Sequence, residues 1–88
     1  MVYIDSLYPS LKNRNWKYDK SCHLFADNLD ELHKFAGSLL LCRSWFQNNP
    51  RLPHYDLTAN KRHHAIKLGA IEVSRKFMVK FMKKNDQE

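Results

Sequence analysis

Residues 22–40, CHLFADNLDELHKFAGSLL, carry a strand into a helix, and their reading decides the fold. Cys22 to Ala26 is a short apolar run closed by Asp27, which predicts a strand. Asn28 then offers an N-cap, and Glu31 three residues later completes a capping-box pattern. Asp30 and Glu31 fall in the first turn, where the helix dipole favours negative charge. Leu29, Leu32, Phe35, Ala36, Leu39 and Leu40 recur at spacings of three and four, so one apolar stripe faces a core. Gly37 is the weak position inside it.

Toward the N-terminus, Val2-Tyr3-Ile4 predicts a strand ending at Asp5. Ser6 to Tyr18 follows as a basic, aromatic loop holding Pro9, Lys12, Arg14, Trp16 and Lys17. Toward the C-terminus, Cys42 to Gln47 is expected to return as a third strand that buries Trp45 and Phe46. Asn48 to Leu57, with Pro50 and Pro53, reads as an irregular loop. Thr58 caps a helix over Ala59–Leu68, with Gly69 at its C′ position. Ala70 to Val73 is a fourth strand. Ser74 caps a last helix carrying Phe77, Met78, Phe81 and Met82, which fades from residue 84 into a disordered polar tail over 84–88. The chain is therefore expected to be a single α/β domain over residues 1–88. It should hold a small single-layer sheet of about four strands with three helices, in the order β-β-α-β-α-β-α. Strand–helix–strand units imply parallel pairing with right-handed crossovers.

Composition narrows the function classes. With 88 residues, 43% hydrophobic and 12% aromatic, the chain is long enough for one core and too apolar for a solvating, disordered segment. No apolar run approaches the ~20 residues of a membrane span. The start has no basic stretch leading into an apolar one, so a secretory signal is not expected and the cytoplasm is the expected location. The formal charge is +6 and uneven. Residues 1–44 hold six Lys/Arg against five Asp/Glu, and residues 45–88 hold nine against four. A basic half attracts polyanions, anionic metabolites or acidic proteins, and it excludes a mimic of DNA's negative charge. Cys22 and Cys42 lack CxxC spacing and read as small apolar side chains.

In parallel α/β folds ligands bind beyond the carboxyl ends of the strands. That rule gathers Asp5, Asp27, Gln47, the His54-Tyr55-Asp56 segment and the Trp16 loop on one edge, although a strand-end Asp such as Asp27 also serves simply to cap a helix. Lys61 and Arg62 occupy the first turn of the second helix, where positive charge is unfavourable unless an anion binds there. His54 and Asp56 alternate, so an extended segment would put both on one face as an acid–base pair or as metal ligands. His23 and His33 lie near in sequence, but no HExxH-like spacing supports a metal, and neither a metal nor another cofactor is expected. His33 reads as a packing residue, and His63 and His64 as helix surface. Trp16, in its basic loop, has a better claim to a stacked ligand than Trp45 or Phe46, which read as core. Ala65, Gly69 and the basic surroundings mimic a helix-turn-helix, yet Arg75 falls where that motif needs an apolar residue. There is no Gly-rich phosphate loop and no GxSxG elbow.

Taken in order, Val2-Tyr3-Ile4-Asp5, Cys22 to Asp27, Glu31 to Ala36, Trp45-Phe46-Gln47, Pro53 to Thr58, Lys61-Arg62 and Leu68-Gly69-Ala70 resemble a family of short bacterial and phage proteins, domain of unknown function 4031. The resemblance spans nearly the whole chain. It implies a small stand-alone cytoplasmic protein, in the host cytoplasm where phage-borne, and it brings no activity with it. The basic second half and lysine-rich end depart from that pattern.

Three functions are open at this point. The favoured one is binding of a phosphorylated small molecule, a nucleotide or cyclic nucleotide signal, through Asp5, Trp16, His23, Gln47, His54, Tyr55, Asp56, Lys61 and Arg62, in the manner of a phage protein acting on host signalling. The second is a small hydrolase or transferase, with His54 and Asp56 catalytic and Lys61 and Arg62 stabilising an anion. The third is nucleic-acid or acidic-protein binding through the basic half. No membrane partner is expected, and exposed sheet edges in so short a chain allow a homodimer.

Overall fold

The computed structural model describes residues 1–10 and 18–86. Strand β3 (Lys20–Ala26) organises them, because it is paired along both edges. On one edge β1 (Val2–Ile4) runs antiparallel to it, with Ile4 opposite Leu24. The two-residue β2 (Tyr8–Pro9) pairs with Lys20 and Ser21, after a register slip of one residue. On the other edge β4 (Tyr55–Leu57) is also antiparallel, with Asp56 opposite His23. β5 (Ile71–Glu72) extends the sheet beyond β1 and is parallel to it. The helices are α1 (Leu29–Ser38), α2 (Ala59–Lys67) and α3 (Arg75–Asp86).

The protein is thus α/β, with three helices on a mixed five-stranded sheet, and the expected element order holds with β2 added. The pairing differs from expectation, since only β1–β5 is parallel. β1 reaches β3 without an intervening helix, which frees the two to run antiparallel. The strand expected at Cys42–Gln47 is also absent. Arg43–Trp45 forms a 3-10 turn instead, and Trp45, expected in the core, is 54% exposed. The third position is taken by β4, inside the segment read as a loop. There His54-Tyr55-Asp56-Leu57 alternates polar with apolar, the period of a half-buried strand. Two prolines upstream had masked that signal.

Each sheet face carries its own core. Val2, Ile4, Cys22, Leu24, Tyr55 and Leu57 meet α1 and α2 through Leu32, Ala36, Leu39 and Ala65. On the opposite face Tyr3, Phe25 and Leu52 meet Met78, Phe81 and Met82 of α3. The expected caps are in place, with Asn28 Oδ1 accepting from the Glu31 N–H at 2.8 Å and Thr58 Oγ1 from the Lys61 N–H at 3.2 Å. α1 and α2 end alike. The Leu41 N–H donates to Ala36 O and the Ala70 N–H to Ala65 O, each across a left-handed residue. At α2 that residue is Gly69 (φ 107°), as expected, but at α1 it is Leu40 (φ 60°). The left-handed turn throws Leu40 off the apolar stripe and leaves it 82% exposed. Asp27 serves structure, accepting from the Tyr3 hydroxyl and the Met1 ammonium. α3 continues to Asp86, past the residue where the polar tail was expected to begin.

Two predictions follow from this packing. Leu24, fully buried and paired on both sides, should lose about 3 kcal/mol of stability on truncation to alanine. A urea titration should show a lower midpoint with an unchanged slope. Cys22 is fully buried and burial pushes its thiol pKa up to about 12, whereas Cys42 is exposed. Native protein treated with iodoacetamide at neutral pH should therefore gain one adduct, at Cys42, and the denatured chain two, by mass spectrometry.

Candidate functional site

The alternation that puts Cys22, Leu24, Tyr55 and Leu57 into the α1/α2 core turns His23, His54 and Asp56 to the opposite face. The antiparallel register then sets Asp5, just past β1, beside His23, and His23 beside Asp56. Gln47 closes the row, because its backbone pairs with His54 in a single β-bridge. Five residues distant in sequence thus converge on one strip of sheet.

Their hydrogen bonds are directional. Asp5 has no exposed surface, and its carboxylate accepts from the His23 backbone N–H (2.5 Å) and from His23 Nδ1–H (2.8 Å). His54, 8% exposed, donates from Nδ1 to the Leu52 carbonyl at 2.6 Å. Its Nε2 lies 3.3 Å from Asp56 Oδ1. The other oxygen of Asp56 accepts from the Gln47 side-chain amide. The two imidazoles meet edge to face with centroids 4.9 Å apart.

Charges follow from these contacts. Burial works against a charged His54, but the Asp56 carboxylate and the Leu52 carbonyl outweigh it and hold its pKa above the ordinary histidine value. Burial likewise works against an ionised Asp56, and His54, His23 and Gln47 reverse that and hold it below the ordinary carboxylate value. His23, His54 and Asp56 each bring one potential ligand atom to within 4.8 Å of the others, so these three could hold a metal ion. Side-chain exposures of 29% for His23 and 31% for Asp56 leave the cluster open to solvent on one side.

Of the residues singled out in the sequence, Asp5, His23, Gln47, His54 and Asp56 come together here. Tyr55 does not. It faces the α1/α2 core, 1% exposed, with its hydroxyl 2.9 Å from His33 Nδ1. Lys61 and Arg62 do not join the cluster with their charged ends. Lys61 Nζ donates to the Leu39 carbonyl at the end of α1 (2.7 Å). Arg62 Nε donates to the backbone carbonyl of Asp5 (2.9 Å), and its Nη2 reaches Glu72 (3.3 Å). Both cations tie α2 to its neighbours. Trp16 lies outside the described residues. The one contributor that sequence reasoning missed is the Leu52 carbonyl, a main-chain acceptor that no residue type marks. A shallow depression lined by Val2, Glu31, Lys34 and Phe35 opens beside α1 and includes none of the cluster.

Comparison with known proteins returned one family, described as "Protein of unknown function (DUF4031)", matching residues 2–85. No curated protein and no solved structure matches the chain.

Asp5 dictates which nitrogen of His23 carries the proton, and this can be tested. In Asp5→Asn the amide oxygen can keep the backbone N–H bond, while its NH2 must donate to Nδ1 and so moves the ring proton to Nε2. Nitrogen-15 spectra of the imidazole should show Nδ1–H in the parent and Nε2–H in the variant. A stability loss of about 2 kcal/mol is expected, the size of a hydrogen bond to a charged group.

Proposed function

We propose that this chain, which belongs to the DUF4031 family of unknown function, is a small hydrolase or transferase whose reaction centre is the Asp5–His23–His54–Asp56–Gln47 cluster. One observation carries the reading. His54 is held at Nδ1 by a main-chain carbonyl, so its Nε2 is aimed at Asp56 Oδ1, with the His23 ring alongside. An imidazole held this way is preorganised for proton transfer, because no ordering remains to be done when the reaction begins. Asp56 and Gln47 orient it from one side, while Asp5 orients His23 from the other.

The substrate class we propose is a phosphorylated small molecule, nucleotides included. The formal charge of +6 draws anions toward the protein, and hydrolysis of a phosphate ester needs the proton-handling groups that the cluster contains. Simple anion capture at the start of α2 receives less support, since Lys61 and Arg62 already direct donors to the Leu39 and Asp5 carbonyls and to Glu72. No described helix is long and apolar enough to cross a membrane.

The test is turnover of bis(4-nitrophenyl) phosphate and of a panel of mono-, di- and cyclic nucleotides by the purified protein. Release of nitrophenol or inorganic phosphate is expected. His54→Gln should lower the rate at least about a hundredfold while circular dichroism reports a folded chain, with the melting temperature lowered by several degrees for the lost bond to the Leu52 carbonyl. Stabilisation by one nucleotide without turnover would replace the enzyme with a binding protein. An unchanged rate in His54→Gln would remove His54 from the chemistry.

A further inference from the structure

We infer that His23, His54 and Asp56 form a three-ligand site for a divalent transition cation of the zinc class, with the remaining coordination position open. The inference deepens the reading of this cluster as the reaction centre by naming the cofactor that it would hold.

His54 Nδ1 donates to a carbonyl, and a carbonyl only accepts, so the neutral ring carries its lone pair on Nε2. That lone pair faces Asp56 Oδ1 across 3.3 Å, a gap that either a proton on Nε2 or a metal cation in its place can bridge. Asp5 likewise takes His23 Nδ1–H and leaves Nε2 as the nitrogen able to bind a metal. Both histidines are therefore held in the form that ligates through Nε2, each by a different fixed acceptor. Asp56 has its second oxygen held by Gln47. Each of the three ligands has its outer atom engaged, the arrangement by which proteins orient metal ligands.

Distance agrees. A tetrahedral cation with ligands at about 2.0–2.1 Å holds neighbouring ligand atoms roughly 3.3 Å apart. His54 and Asp56 already stand at 3.3 Å, and all three ligand atoms lie within 4.8 Å, so small rotations close the site. Two imidazoles and one carboxylate suit zinc and its first-row neighbours, whereas magnesium prefers an all-oxygen shell. Three protein ligands also leave a position for water or a substrate oxygen, as catalytic rather than structural sites do. A cation here would attract a phosphoryl oxygen to a place lined by carboxylates.

Protein dialysed against EDTA and then titrated with zinc chloride by calorimetry should bind one equivalent. His23→Gln and Asp56→Asn, both at partly exposed side chains, should abolish that event, and circular dichroism should report an intact fold. Asp5→Asn should weaken it roughly tenfold to a hundredfold, the usual effect of losing an outer partner. Magnesium should not compete. Cobalt should bind with the visible absorption of a tetrahedral N/O site, and lose that absorption in the same variants. The adjacent His63 and His64, whose rings lie 6.4 Å apart, and the exposed Cys42 are the alternative zinc binders. Binding that survives both cluster variants but disappears in His63→Ala/His64→Ala or Cys42→Ala overturns the inference, as does the absence of binding by the parent. One-equivalent binding lost in the cluster variants supports it even where no substrate is turned over, so its fate and that of the proposed enzyme are read separately.

Discussion

A carboxylate with no exposed surface must be hydrogen-bonded, or its burial would cost more than a small domain can offset. Asp5 meets that demand by accepting twice from one residue, the backbone N–H and the ring of His23. The bonds hold β1 in register on β3 where the ladder slips before β2. The backbone carbonyl of Asp5 also accepts from Arg62, which brings in α2, and Arg62 reaches Glu72 of β5. Three strands and a helix are thus referenced to one residue. The orientation of the His23 ring is a by-product of the same bonds, which is why fold and candidate chemistry cannot be separated at this position.

The electrostatics of the chain and of the cluster point in opposite directions. The protein carries a formal +6, while the cluster gathers two carboxylates, and Arg62 reaches it at the backbone carbonyl of Asp5 rather than at a carboxylate. Lys61 and Arg62 are turned toward main-chain oxygens, a helix end and a strand end that gain donors from them. A basic exterior around a carboxylate-lined centre fits the proposal of an anionic substrate drawn in by the long-range field and then held by a bound cation.

Much of the fold was legible because its signals are local. Asn28 and Glu31 mark the start of α1, Thr58 the start of α2 and Gly69 its end, each through backbone groups within a few residues. Strand partners are not local. The sequence offered Trp45-Phe46 as strand content, but Trp45 is solvent-facing, and the strand is formed by Tyr55 and Leu57, whose alternation was overshadowed by Pro50 and Pro53. Parallel pairing was expected from element order alone, and order does not reveal that β3 receives partners on both edges. The candidate site was more legible than the topology. Asp5, Gln47, His54 and Asp56 were grouped by residue type and by position around strand ends, together with Asp27, which serves structure, whereas His23 was marked only by its imidazole. Tyr55 was grouped with them because it adjoins His54, and in a strand adjacency in sequence means opposite faces. The Leu52 carbonyl could not be found from sequence, since every residue carries one.

The opposite facing of sequence neighbours in a strand governs how the chain can change. Along β4, Tyr55 and Leu57 belong to the core, while His54 and Asp56 belong to the opposite face. Substitutions at the first pair are felt as loss of packing, and substitutions at the second are felt first in the hydrogen bonds and charges of the cluster. One strand therefore carries two interleaved and nearly independent sets of constraints. A descendant of this protein can exchange Asp56 for another oxygen or nitrogen donor, which would retune the proposed metal site, without disturbing the neighbours that keep the sheet together.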